Sequence, residues 1–126
     1  MSSPDIQQLF SNQLALIPVY ENLEQWILGL PGTRVVYRKT QASFYARRTF
    51  ASAWPPVLPA KNRPDTYFVV SFYLDFQVVH PRIVSAVEPH PGQWTHHVLI
   101  TSAADLDETL LAWLREAYEG ARQEKV

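Results

Sequence analysis

The 126-residue chain contains no cysteine. That excludes a disulfide framework, a thiol nucleophile and any cysteine-ligated zinc or iron–sulfur site. Glycine occurs only four times, and no phosphate-cradling P-loop or G-x-G-x-x-G turn can be assembled from it. Charged residues are sparse at 18 %, with a formal net charge of −1, which excludes a polybasic nucleic-acid coat and an acidic tail. Residues 1–33 hold no Lys or Arg, so the basic start of a secretory signal is missing. No apolar run approaches the roughly eighteen residues of a membrane span. These absences lead to the expectation of a soluble, cytoplasmic protein with no membrane partner. What is present is hydrophobic: 47 % of residues, with 13 % aromatic. A chain so composed folds around a core, and residues 1–126 are expected to form one domain.

The periodicity predicts an amphipathic helix over residues 4–16, with Ile6, Leu9, Phe10, Gln13 and Leu14 on one face, stopped before Pro18. A second helix follows over 19–29, ended by Gly29 and the Pro31-Gly32 turn. Short β-branched and aromatic runs then predict strands at 34–39, 42–46 and 49–54. Trp54–Pro64 carries four prolines, so it is read as an ordered loop. The strongest strand covers 67–76; a strand or irregular arm covers 81–88, a turn 89–92, and a further strand 94–101. Ser102-Ala103-Ala104-Asp105 has the form of a capping box before a helix running to about Arg122. The expected fold is α+β, a mostly antiparallel sheet of five to six strands with N-terminal and C-terminal helices chiefly on one face.

Strand alternation separates two faces. In 67–76 the even positions Phe68, Val70, Phe72, Leu74 and Phe76 form a core face, while Tyr67, Val69, Ser71, Tyr73 and Asp75 lie opposite. Residues 42–47 divide likewise, with Ser43, Tyr45 and Arg47 on the polar side. A half-exposed sheet face, a ligand-binding face and a dimer interface all suit this composition, since tyrosine and arginine favour strands and binding surfaces alike. Between Gln25 and Pro64 there are seven basic residues (Arg34, Arg38, Lys39, Arg47, Arg48, Lys61, Arg63) and no acid. This basic segment 34–63 would suit phosphate, a carboxylate or nucleic acid, or serve only to keep sheet edges from pairing.

His96 and His97 are adjacent on a predicted strand and point to opposite faces, so they do not share one metal. His96 has the parity of Val98 and Ile100 and reads as a core histidine; His97 has that of Thr95 and Thr101. No nucleophile elbow, paired-carboxylate site or metal motif is present, so no catalytic residue, metal or cofactor is assigned.

Four segments carry a recognisable pattern: Arg82-Ile83-Val84, Gln93-Trp94-Thr95-His96-His97-Val98-Leu99-Ile100, the helix Asp105-Leu106-Asp107-Glu108 … Trp113-Leu114-Arg115-Glu116-Ala117-Tyr118, and Ser43–Ala51. Together they resemble a bacterial family of small domains of unknown function. Its members stand alone or follow restriction-type nuclease domains, and some are labelled predicted transport proteins. The resemblance implies a compact α+β domain and marks Arg47, Arg82, His96 and His97 as site candidates. With the residues of the polar face, the candidate ligand-binding set is Tyr45, Arg47, Tyr67, Ser71, Tyr73, Arg82, His96 and His97. The expected role is a non-catalytic module for a small anionic ligand or a protein partner, a homodimer among the options. Nucleic-acid association through 34–63 is the alternative.

Overall fold

A computed structural model of the chain describes residues 3–56 and 62–123. The elements are α1 (Pro4–Leu9), α2 (Ile17–Leu28), β1 (Arg34–Tyr37), β2 (Ala42–Tyr45), β3 (Thr49–Trp54), β4 (Phe68–Leu74), β5 (Ile83–His90), β6 (Gln93–Ile100) and α3 (Glu108–Arg122). The strands form one six-stranded sheet in the order β1-β2-β3-β4-β6-β5, antiparallel at each pairing. This is the α+β architecture expected from the sequence.

The three α-helices among the described residues lie on one face. Phe72 stacks on Trp113 and Phe50 meets Tyr118 edge-on, which fixes α3 over β3 and β4. Phe10 and Tyr20 pack on Phe68 and Phe44, which seats α1 and α2 beside it. Phe68, Val70, Phe72 and Leu74 are buried as the alternation predicts, whereas Phe76, expected with them, lies past the end of β4 and is 45 % exposed. Tyr118 also donates to the Pro31 carbonyl at 2.5 Å, tying the last helix to the turn after α2. At the β1 side, Tyr20 Oη donates to Glu24 at 2.8 Å and Tyr37 Oη to the same carboxylate. Burial pushes the Glu24 carboxyl up, the Tyr20 hydroxyl offsetting part of the effect.

Local chemistry corrects four boundaries. The helix expected over 4–16 ends at Leu9; a 3₁₀ turn spans Leu14–Leu16, and α2 begins at Ile17 with Pro18 in its first turn. A first-turn proline has no amide to lose, so Pro18 starts a helix rather than stopping one. Leu14 is accordingly 61 % exposed, and Gln13 instead accepts from the Tyr67 amide at 2.9 Å, anchoring the approach to β4. Ser102 makes no side-chain cap; a 3₁₀ turn follows it, and Asp107 caps α3 by accepting from Leu110 N at 3.0 Å. Asp105 turns back to accept from the amide and hydroxyl of Thr101. β5 runs on to His90, so the β5–β6 turn shrinks to Pro91-Gly92, with Gly92 at φ +76°. That positive φ is the reason for glycine there. Part of the expected loop Trp54–Pro64, with Lys61, lies outside the described residues.

β4 and β5 run parallel with β6 between them, so residues 75–82 cross back along the helix side. Val78 packs against the core and its amide donates to His96 Nε2 at 2.9 Å, which holds this crossing in place.

Candidate functional site

The sheet face opposite the helices carries a row of small polar side chains. Pairing sets Val36, Ser43, Ser52, Ser71, His97 and Ser85 side by side across all six strands. Ser43, Ser52 and Ser71 are almost wholly buried, although no helix among the described residues covers them. Larger residues neighbour them along the strands: Trp54, Val69 and Leu99 on one side, Tyr45, Tyr73 and Thr95 on the other. The result is a filled trough, its serine floor already shielded from solvent, with Trp54, Tyr45 and Tyr73 among the flanking side chains.

The floor is hydrogen-bonded. Trp54 Nε1 donates to Ser71 Oγ at 3.2 Å, and Ser71 Oγ lies 2.7 Å from His97 Nδ1. Gln41 Nε2 donates to Ser43 Oγ at 2.9 Å. Burial, and after it the neighbouring His96, hold His97 below its ordinary pKa, so the ring is neutral at pH 7. Assigned from the network, the Ser71 hydroxyl donates to Nδ1 and the ring proton sits on Nε2. His97, half-buried, therefore offers an N–H.

At the β1 end of the trough, Tyr45 is held by two arginines. Arg38 donates to its hydroxyl at 2.6 Å, and the Arg34 guanidinium lies 4.6 Å from its ring centroid. Hydrogen bonds from Thr49 and then Arg38 hold the exposed Tyr45 phenol below its ordinary pKa.

The structure thus brings Tyr45, Ser71, Tyr73 and His97 to one face. Tyr67, just before β4, shares their parity and is buried outside the helix-side core, whereas Arg47, Arg82 and His96 are not brought there. His96 lies on the helix side, fully buried, stacked 4.8 Å from Phe72. Its Nε2 accepts from Val78, so its proton sits on Nδ1, which has no partner of good geometry. Burial pushes its pKa down, the nearby Phe72 carbonyl opposing this in part. Arg82 binds Asp107 at 2.7 Å and the Asp105 carbonyl at 2.9 Å, clamping the entry to β5 onto the start of α3. Burial would raise Asp105, yet the bonds from Thr101 and Ser102 and the Arg82 charge bring it below its ordinary value. Tyr67 is buried before β4, and Arg47 lies exposed in the β2–β3 turn.

Ser52 and Trp54 belong to the trough but escape the sequence reading. A β-bulge at Phe44/Tyr45 lets both Phe50 and Ala51 face the core, which breaks simple alternation in β3. Counting back from Trp54 rather than forward from Thr49 would have found both. A cavity lies elsewhere. A cleft of about 1020 Å³ opens between the C-terminal half of α3 and the turns at the same end of the sheet. Phe50, Leu74 and Ala117 floor it, with Tyr73 at its rim. It is an open trough between element ends, and Arg48, at its wall, already donates to the Gly120 carbonyl at 2.6 Å.

Among the described residues no group of three or more His, Cys, Asp or Glu could hold a metal ion, and no helix is long and apolar enough to cross a membrane. No curated protein and no solved structure matches the chain. A family model does match, over residues 6–121. The chain therefore belongs to the family described as domain of unknown function DUF5655.

Proposed function

We propose that the protein is a non-catalytic binding module whose helix-free sheet face receives a small ligand bearing an anionic group. The observation that carries this reading is the buried serine floor, joined by Trp54, Ser71 and His97 into one hydrogen-bonded unit. A sheet face that only meets water has no need of such a floor; a pre-formed site does.

The trough also bounds its occupant. The Arg34 and Arg38 guanidinium groups, reaching from β1 over Tyr45 of β2, stand at one end and the His97 N–H of β6 at the other. Three strand spacings of ~4.8 Å separate them, roughly 14 Å in all. A molecule of that length would place its anion by the arginines and an acceptor on His97 Nε2, its body lying over the serines among the flanking aromatic side chains. Catalysis fits poorly here. Ser71 is buried and already accepts from Trp54. The His97 Nδ1 lone pair is engaged by that buried hydroxyl and Nε2 is protonated, so the ring has no lone pair left to take a proton from a bound molecule.

Native mass spectrometry of the purified protein tests the reading. The expected result is an adduct of a few hundred daltons, retained by the wild type and lost from His97→Ala and Arg38→Ala. A bare wild-type mass, or an adduct indifferent to both substitutions, contradicts it.

A further inference from the structure

The chain has six tyrosines, and their hydroxyls are used in opposite ways. Tyr20 and Tyr37 donate to the Glu24 carboxylate, and Tyr118 donates to the Pro31 carbonyl. Each of these partners can only accept, so each phenol keeps its proton. Burial, and after it Glu24, push the Tyr20 phenol up. Tyr45 is the reverse case. Its oxygen accepts, from the Arg38 guanidinium at 2.6 Å.

The local fold sets this arrangement. Arg34 stands directly opposite Tyr45 in the β1–β2 ladder. Its guanidinium lies 4.6 Å from the Tyr45 ring centroid and is tethered by donating to the Ala46 carbonyl at 3.3 Å. On the other side, the irregularity between Phe44 and Tyr45 sets Thr49 opposite Tyr45, and such irregularities re-aim a side chain. Hydrogen bonds from Thr49 and then Arg38, with the charges of Arg38 and Arg34, hold this exposed phenol below its ordinary pKa. No Asp or Glu occurs in β1, β2 or β3, so these strands hold no acid to draw either guanidinium away. A phenol oxygen in contact with two cations and open to solvent is an activated nucleophile.

We infer that Tyr45 is a site of covalent modification, its phenol oxygen taking an acyl group from an acyl phosphate. The arginines select that class of donor. Arg38 favours the phenolate, and both guanidinium groups attract the donor's phosphate and stabilise it as it leaves. In the step, Oη attacks the carbonyl carbon and an O–C bond forms. The bond from that carbon to the phosphate oxygen breaks, and inorganic phosphate leaves with the electron pair. The phenolic proton passes through water to the phosphate; nothing is oxidised or reduced. The resulting ester takes the phenolate from Arg38 and leaves an acyl group at the β1 end of the serine face. This reactivity stands on the contacts of Tyr45 and does not depend on the trough holding a ligand.

The test is incubation of the whole protein with acetyl phosphate at neutral pH, followed by tryptic peptide mass mapping. Tyr45 is the one tyrosine of the peptide Thr40–Arg47. That peptide is expected to gain an acetyl group that neutral hydroxylamine removes, as it removes phenol esters and leaves lysine amides. Tyr45 should react at least about tenfold faster than Tyr73 of the same face, and Arg38→Ala should slow it by about as much. Arg38 is exposed, so its replacement leaves the core intact, and Arg38→Lys, which keeps a charge, should restore part of the rate. The pH profile is the second readout: the wild-type rate levels off at lower pH than that of Arg38→Ala, and the two converge once the variant's phenol ionises. No label on Tyr45, a rate no greater than that of Tyr73, or a rate and pH profile indifferent to Arg38 overturns the inference. So does a phosphoryl group in place of the acetyl group, which marks attack at phosphorus.

Discussion

His96 and His97 are neighbours in sequence on opposite faces of one sheet, and the contrast between them is the contrast between the faces. Both are neutral at pH 7 because burial disfavours the charged ring. On the helix side, His96 stacks on Phe72 and receives the Val78 amide, so it fixes the chain crossing beneath β6. On the other side, His97 completes a chain of hydrogen bonds from Trp54 through Ser71 and keeps its own N–H free of that chain. One histidine holds the fold; the other is arranged toward solvent. The lesson is that one residue type, with the same direction of pKa shift, serves stability or recognition according to which side of the sheet it faces.

The difference predicts unequal costs. Phe72→Ala removes the ring that packs against both His96 and Trp113 and is expected to cost about 3–5 kcal/mol in urea unfolding. Ser71→Ala, one residue away on the opposite face, is expected to cost about 1 kcal/mol or less. Equal losses from the two would erase the distinction between the faces. Asp107→Ala, which removes the α3 cap and the Arg82 partner together, should cost about 1–2 kcal/mol.

Acid sharpens the comparison further. Both folded-state pKa values lie below the ordinary 6.5, so the unfolded chain takes up these protons first. Their contribution to stability is complete above about pH 6.5 and declines as pH falls through that value. Each histidine adds at most about 1.4 kcal/mol per pH unit to the slope. His96→Gln, whose amide oxygen can still accept from Val78, should flatten the decline on folding; a slope unchanged from pH 7 to 5 would remove His96 from the account. The smallest effect is expected from Trp54→Phe, a few tenths to about 1 kcal/mol. Its signature is in the histidine ¹⁵N spectrum: the His97 tautomer becomes mixed while His96 keeps its proton on Nδ1.

Much of this was legible in the sequence. Even-numbered apolar residues from Phe68 to Leu74 marked the buried side because a strand alternates strictly, and His96 fell with Val98 and Ile100 for the same reason. Serine and tyrosine at the odd positions marked the other face. What escaped depended on single backbone events. The bulge beside Phe50 hid Ser52 and Trp54, and Pro18 at the start of α2 looked like a stop. Arg82 read as a ligand-binding cation, because nothing local announces that Asp107, 25 residues away, takes its charge. Parity is a local property, whereas partnership across the fold is not.

Backbone amide shift mapping of the ¹⁵N-labelled protein against a mixture of small anionic metabolites tests the central claim most directly. The account predicts shifts gathered on Ser43, Tyr45, Ser52, Ser71 and His97, with α3 and the crossing at 75–82 undisturbed. Shifts confined to the cleft beside α3, or absent while the serine row stays silent, would contradict it.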